Sequence, residues 1–64
     1  MIKCRRKVLK LRQEDLAAKI NISRSYLSAI ENKKVLNINL KYLISLSEAL
    51  NVDIRKLLKW FLDR

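Results

Sequence analysis

Residues 13–30, QEDLAAKI-NIS-RSYLSAI, constrain the fold more than any other part of the chain. At about 100° per residue, Leu16, Ala17 and Ile20 share one face of a helix, and Leu27 and Ile30 share one face of a second. Only the segment Asn21-Ile22-Ser23 separates the two, so their apolar faces can meet if the chain reverses sharply at Asn21. Asparagine tolerates the left-handed conformation such a reversal needs better than most residues other than glycine. Ser23 follows as the expected N-cap of the second helix.

The second helix keeps a polar side. Ser25, Ser28, Ala29 and Asn32 face away from Leu27 and Ile30, with Arg24 and Tyr26 on the flanks. This outer face is short and hydrogen-bonding, with no carboxylate at its centre. It suits the major groove of DNA, which admits one helix and presents donors and acceptors at the base edges. A solvated helix in any small bundle could carry the same residues, and the helix pair alone does not separate the two readings.

The spacing resembles that of helix-turn-helix proteins of the Cro/cI phage-repressor type. Gln13, Ala17, Asn21, Leu27 and Ile30 stand where that family places Gln, Ala, Gly, a branched apolar residue, and Ile or Leu. Gln13-Glu14-Asp15-Leu16-Ala17 is similar to its Q-E-x-L-A, Ile30-Glu31-Asn32 to its I-E-N-G, and Ser47-Glu48-Ala49-Leu50-Asn51-Val52 to its A-x-A-L-G-V. None of these motifs is specific alone, but their order and spacing together are, over about residues 2–58. The resemblance implies an all-α, compact, five-helix domain of the lambda-repressor-like kind. Its helix-turn-helix core would lie at about residues 13–32, and its partner would be double-stranded DNA.

Charge and composition bound the partners independently. A chain of 64 residues makes one domain, and buries only about 60% of the surface its unfolded form exposes. Fifteen Lys and Arg against six Asp and Glu give a net charge of +9 and a pI near 10.2. A domain this basic is expected to bind a polyanion, either nucleic acid or an anionic membrane surface. Membrane binding is disfavoured because the apolar residues are divided among short helices with caps between them, not gathered on one continuous face. No apolar run approaches the roughly 18 residues of a spanning helix, and the start, Met1 to Arg6, lacks a signal peptide's apolar region. A cytoplasmic protein is expected. With one cysteine and no histidine, an internal disulfide, a zinc site and a nucleophile–base pair are all out of reach. No enzyme activity, metal or cofactor is therefore expected, and Cys4 reads as a plain thiol. There is neither Gly nor Pro, so the asparagines at 21, 32, 37, 39 and 51 are the expected turn residues.

A first helix is expected over residues 2–9, with Ile2, Arg6 and Leu9 on its inward stripe and Lys3, Arg5, Lys7 and Lys10 around it. Burying Arg6 alone would be costly. Its expected partner is Glu31, which borders the buried face of the second motif helix and would be repelled by phosphate if it pointed at DNA. The resembled family commonly pairs arginine and glutamate at these two positions. At position 12, where that family usually has Thr, Ser or Asn as an N-cap, this chain has Arg12, and capping is expected to weaken. Lys10 replaces the family's usual glycine, and a wider turn is expected there.

After the motif comes a loop at residues 33–38, KKVLNI. Lys33 and Lys34 favour the end of the preceding helix dipole, and the resemblance also makes them, with Asn37, contacts for the phosphate backbone. Val35, Leu36 and Ile38 should be buried somewhere. Asn39 is expected to cap a helix over residues 40–50 whose Leu40, Leu43, Ile44, Leu46, Ala49 and Leu50 supply core. Asn51 ends it, and Asp53 caps a last helix with Ile54, Leu57, Leu58 and Phe61 inward. Trp60 falls about 120° from the centre of that stripe and is assigned to an interface.

These readings converge on a sequence-specific transcriptional regulator, a repressor acting as a homodimer on a palindromic operator. Arg24, Ser25, Ser28 and Ala29 are the candidates for base edges. Gln13, Tyr26, Asn32, Lys33, Lys34 and Asn37 are those for the DNA backbone, and Leu36, Ile38, Val52 and Trp60 those for a dimer surface. The alternative within the same fold is an antitoxin-like or adaptor protein acting through a protein partner.

Overall fold

The computed structural model describes residues 1–35 and 37–63. Its elements, in order, are α1 (Ile2–Val8), α2 (Gln13–Lys19), α3 (Arg24–Glu31), α4 (Leu40–Leu50) and α5 (Ile54–Leu62). There are five helices and no strand among the described residues, an all-α fold. Short connections force neighbouring helices to turn on one another, and α2 packs on α3 while α4 packs on α5 and α1.

The N-termini of α2, α3, α4 and α5 are set by side chains that accept backbone N–H groups left free at a helix start. Ser23 Oγ accepts from Tyr26 N at 3.0 Å, Asn39 Oδ1 from Lys41 N at 2.9 Å, and Asp53 Oδ1 from Arg55 N at 2.8 Å. Arg12 cannot accept. Instead Asp15 Oδ2 reaches back to accept from Arg12 N at 3.0 Å and from Arg12 Nε at 3.2 Å. This is one half of a capping box, held by the third helical residue.

The C-termini of α1, α2, α3 and α4 share one solution. Lys10, Asn21, Lys33 and Asn51 have φ of 58°, 61°, 56° and 54°, the left-handed region. In each case the left-handed residue's N–H bonds the carbonyl three residues back, and the next residue's N–H bonds the carbonyl five back. At the end of α1, Lys10 N reaches Lys7 O at 3.0 Å and Leu11 N reaches Arg6 O at 2.9 Å. This paired pattern satisfies carbonyls that would otherwise be orphaned. The wider turn expected at Lys10 is therefore corrected: the two backbone bonds hold a lysine in the tight geometry a glycine would adopt at less steric cost.

One core lies where the helices converge. Ile2, Leu16, Ala17, Ile20, Leu27, Ile30, Leu43, Leu46, Leu50, Leu57 and Phe61 are all buried. Four apolar residues expected in it are not. Leu9 is 38% exposed because α1 stops at Val8 and Leu9 is already its C-cap. Leu40 and Ile44 are 64% and 40% exposed. The buried arc of α4 comprises Leu43, Leu46, Ser47 and Leu50, and Leu40 and Ile44 lie about 70° and about 110° from its middle. Ser47 is buried in that arc instead, its hydroxyl satisfied by donating to Ile44 O at 2.7 Å. On α5, Leu58 is 41% exposed while Trp60 is half-buried against the core. The buried arc of α5 is thus rotated by about 30° from the symmetric stripe read in the sequence, toward the larger side chain.

Val35, Ile38 and Val52 are half-buried and packed against the core. Leu36, assigned to the dimer surface from sequence, lies outside the described residues.

Candidate nucleic-acid interface

The outer face of α3 is held at a fixed angle by what lies behind it. Leu27 and Ile30 are fully buried, and Tyr26, half-buried, meets Tyr42 of α4 edge-on with ring centroids 5.9 Å apart. Such an arrangement suits the opposed charge of ring edge and ring face. Tyr26 therefore contributes to seating α3 on α4, whatever its hydroxyl meets outside.

Outward from that seat, Arg24 and Ser25 are exposed and Ser28 and Ala29 half-buried. Gln13, Arg24, Ser25 and Ser28 line a shallow polar recess of about 340 Å³. Asn32 is exposed and folded along its own helix, its Nδ2 donating to Ser28 O at 2.9 Å and Ser28 Oγ at 3.4 Å. The four residues assigned to base edges are thus brought to one side of one helix.

The carboxylate of α3 is turned away from this face. Arg6 Nε donates to Glu31 Oε2 at 2.9 Å and Arg6 Nη2 to Glu31 Oε1 at 3.3 Å, with the two side chains 11% and 3% exposed. A third donation, from Arg6 Nη1 to Leu11 O at 3.0 Å, anchors the guanidinium to the turn after α1. Planar, two-point contact of this kind is the strong form of an ion pair. It ties α1 to the end of α3 and removes an anion from the surface that would meet phosphate.

Gln13, assigned to the DNA backbone from sequence, has a second set of partners. Its Nε2 donates to Glu31 Oε1 at 3.1 Å, and its Oε1 accepts from Arg24 Nε at 3.3 Å. Sequence reading missed this link because it joins residues 11 and 18 positions apart. Arg5 was missed as well: its Nε donates to Leu50 O at 2.9 Å. The signal was present, since the last turn of α4 has no basic residue of its own to meet its carbonyls.

The remaining backbone candidates divide. Lys34 and Asn37 are exposed. Lys33 is folded inward, its Nζ lying 4.8 Å from the centroid of the Trp60 ring and donating to Asp63 O at 2.8 Å. A cation over an indole face is favourable, so Trp60, assigned to an interface, is joined within the chain to the turn after α3. Ile38 and Val52, assigned to the same surface, keep only part of their area outside.

Two acids elsewhere, Asp15 and Asp53, are tied to caps. Asp15 has its carboxyl held below the ordinary value of 3.8 by the Arg12 N–H and then the Arg12 guanidinium, and Asp53 by the Arg55 guanidinium and then the Arg55 N–H. Both favour the ionised form by hydrogen bonding to it. No group of three or more His, Cys, Asp or Glu able to hold a metal occurs among the described residues. No helix among them is long and apolar enough to cross a membrane.

Compared with protein families, residues 2–57 match the model of a helix-turn-helix family. No curated protein and no solved structure matches the chain.

Proposed function

The chain belongs to the Cro/cI-type helix-turn-helix family, a family of DNA-binding transcription regulators, and from that premise we propose that it is a sequence-specific repressor. It acts as a single domain, in the cytoplasm, on a palindromic operator bound by two copies. The observation that carries the reading is the acid-free first turn of α3, where Arg24 and Ser25 are exposed beside Ser28 while Glu31 is turned inward.

In this proposal α3 enters the major groove with its N-terminal end toward the bases, as helices of this type do. Arg24 reads guanine through two hydrogen bonds, Ser25 and Ser28 offer single ones, and Ala29 permits close approach or meets a thymine methyl. Lys34, Asn37, Asn32, Tyr26, Gln13 and Lys33 lie along the phosphates, which supply most of the affinity without reading sequence. A reading face of this size gives modest specificity per half-site, and pairing two copies compensates.

Selection of duplexes from random-sequence DNA tests the proposal directly. The expected result is a consensus with approximate two-fold symmetry, bound with an affinity that falls steeply with salt. Recovery of no consensus, together with binding insensitive to salt, would overturn it in favour of a protein partner.

A further inference from the structure

The outer side of α1 is not plain solvated surface. Ile2 and Arg6 take the inward side, in the core and the ion pair. About 150° round the helix, Met1, Cys4 and Val8 form a second stripe, and it is open to solvent, Val8 being 67% exposed. With Val52 of the turn between α4 and α5, these residues line an open groove of about 590 Å³. Small-molecule sites enclose most of their ligand. This groove covers only one side of whatever enters it, which suits side chains protruding from a larger partner.

The charge around the groove selects the partner. Arg5 and Lys56 line it, and Lys7, exposed, falls about 60° round α1 from Cys4. Asp53 also lines it, but its carboxylate is already bonded to Arg55 Nε at 3.3 Å and Arg55 Nη2 at 3.0 Å. Arg5 Nε donates to Leu50 O at 2.9 Å, which pins the guanidinium at the groove, while Nη1 and Nη2 have no partner among the described residues. A carboxylate accepts from such a fork through two parallel bonds. α1 contains no acid, so a second copy of the chain laid along it would set like charges against each other. An anionic bilayer, being flat, would cover the stripe and leave the recess behind it unfilled. We propose that the groove docks an acidic segment of a partner protein, with one or two large apolar side chains against Met1, Val8 and Val52 and a flanking carboxylate on the fork of Arg5. It shares no lining residue with the recess on α3, so this site is separate from the face assigned to DNA and goes beyond that reading.

The probe is a peptide selected against the whole chain from a random-sequence library displayed on phage, synthesised beside a counterpart whose carboxylates are replaced by amides. Selected peptides are expected to place carboxylates next to one or two large apolar residues. On the labelled protein they should shift the nuclear magnetic resonance signals of Cys4, Val8 and Val52. Val8→Glu and Lys56→Glu, both at exposed positions, should each weaken the peptide about tenfold, as loss of an interface anchor does. The amide counterpart should bind the parent more weakly by a similar factor. Should Val8→Glu fail to fold, Lys56→Glu decides. Recovery of no peptide, peptides without carboxylates, signals shifted elsewhere, or parent-like binding by the folded variants overturns the inference. Vesicles of phosphatidylglycerol with phosphatidylcholine, and a duplex of random sequence, are titrated alongside. If either shifts the groove signals where no peptide does, the groove meets a membrane surface or DNA, and the inference is overturned. None of these failures touches DNA binding through α3, which the selection of duplexes tests by itself.

Discussion

Lys10 shows that a helix end is set by where backbone hydrogen bonds go more than by the residue that carries them. Its φ of 58° places a side chain where glycine fits at less cost, and the bonds from Lys10 N and Leu11 N hold it there. Lys10→Gly should therefore stabilise the fold by about 1 kcal/mol, the approximate steric cost of a left-handed residue with a side chain. In a domain of this size that would raise the melting temperature by about 4–8 °C. Thermal unfolding followed by circular dichroism checks it, and a lower melting temperature would mean that the lysine makes a compensating contact. Arg6 makes the opposite case, since here the side chain is irreplaceable. Arg6→Ala leaves Glu31, 3% exposed, without its cation, and breaking a buried pair costs about 3–5 kcal/mol. Lys3→Ala and Lys7→Ala, at exposed positions, should change stability by no more than about 0.5 kcal/mol. Denaturant titration of the three variants distinguishes the cases, and equal midpoints would show that the pair contributes little.

The helices show which features could be read before the structure and which could not. The caps at Ser23, Asn39 and Asp53 and the turn at Asn21 were legible because each is decided within a few residues of chain. The rotation of α4 and α5 was not. Periodicity gives an apolar arc, but which part of a wide arc is covered depends on neighbours, so Leu40, Ile44 and Leu58 remained outside while Ser47 and Trp60 moved in. The candidate site divides likewise. The reading face of α3 follows from its period, whereas the Gln13 bridge and the Lys33–Trp60 contact depend on how distant helices come together. Capping also contributes to the response to acid. Asp15 and Asp53 have folded-state values below 3.8, so their contribution is complete above 3.8 and is lost as pH falls through it toward the lower folded values. Melting temperature measured from neutral pH to about 2 should fall on that acid side. Asp15→Asn with Asp53→Asn should shallow the fall while lowering stability at neutral pH. An acid limb unchanged in the double variant would place the titrating groups elsewhere.

At the scale of the whole molecule, a charge of +9 is distributed so that few anions oppose it. Of the six acids, Glu31 is buried in its pair and Asp15 and Asp53 are engaged at helix starts. A duplex approaching the α3 side therefore meets cations from α3 and the loop after it, and their contributions can be separated by salt. Each phosphate neutralised steepens the fall of log K with log salt by about 0.9. Lys34 is exposed, and Lys34→Ala should flatten the slope by about that amount with no change in base preference. Lys33 has its Nζ 4.8 Å from the Trp60 ring centroid and bonded to Asp63 O, so Lys33→Ala should flatten the slope less. It should also lower the melting temperature, because the contact joining the end of α3 to α5 is lost. Trp60 is the sole tryptophan of the chain, which makes its emission a direct report on that contact. Lys33→Ala should shift the emission in the free protein, and DNA binding should leave the parent's emission nearly unchanged. If Lys33→Ala instead flattens the slope as much as Lys34→Ala, and DNA shifts the parent's emission, then Lys33 leaves the indole for a phosphate on binding. The junction between α3 and α5 would then open each time the protein takes hold of its site.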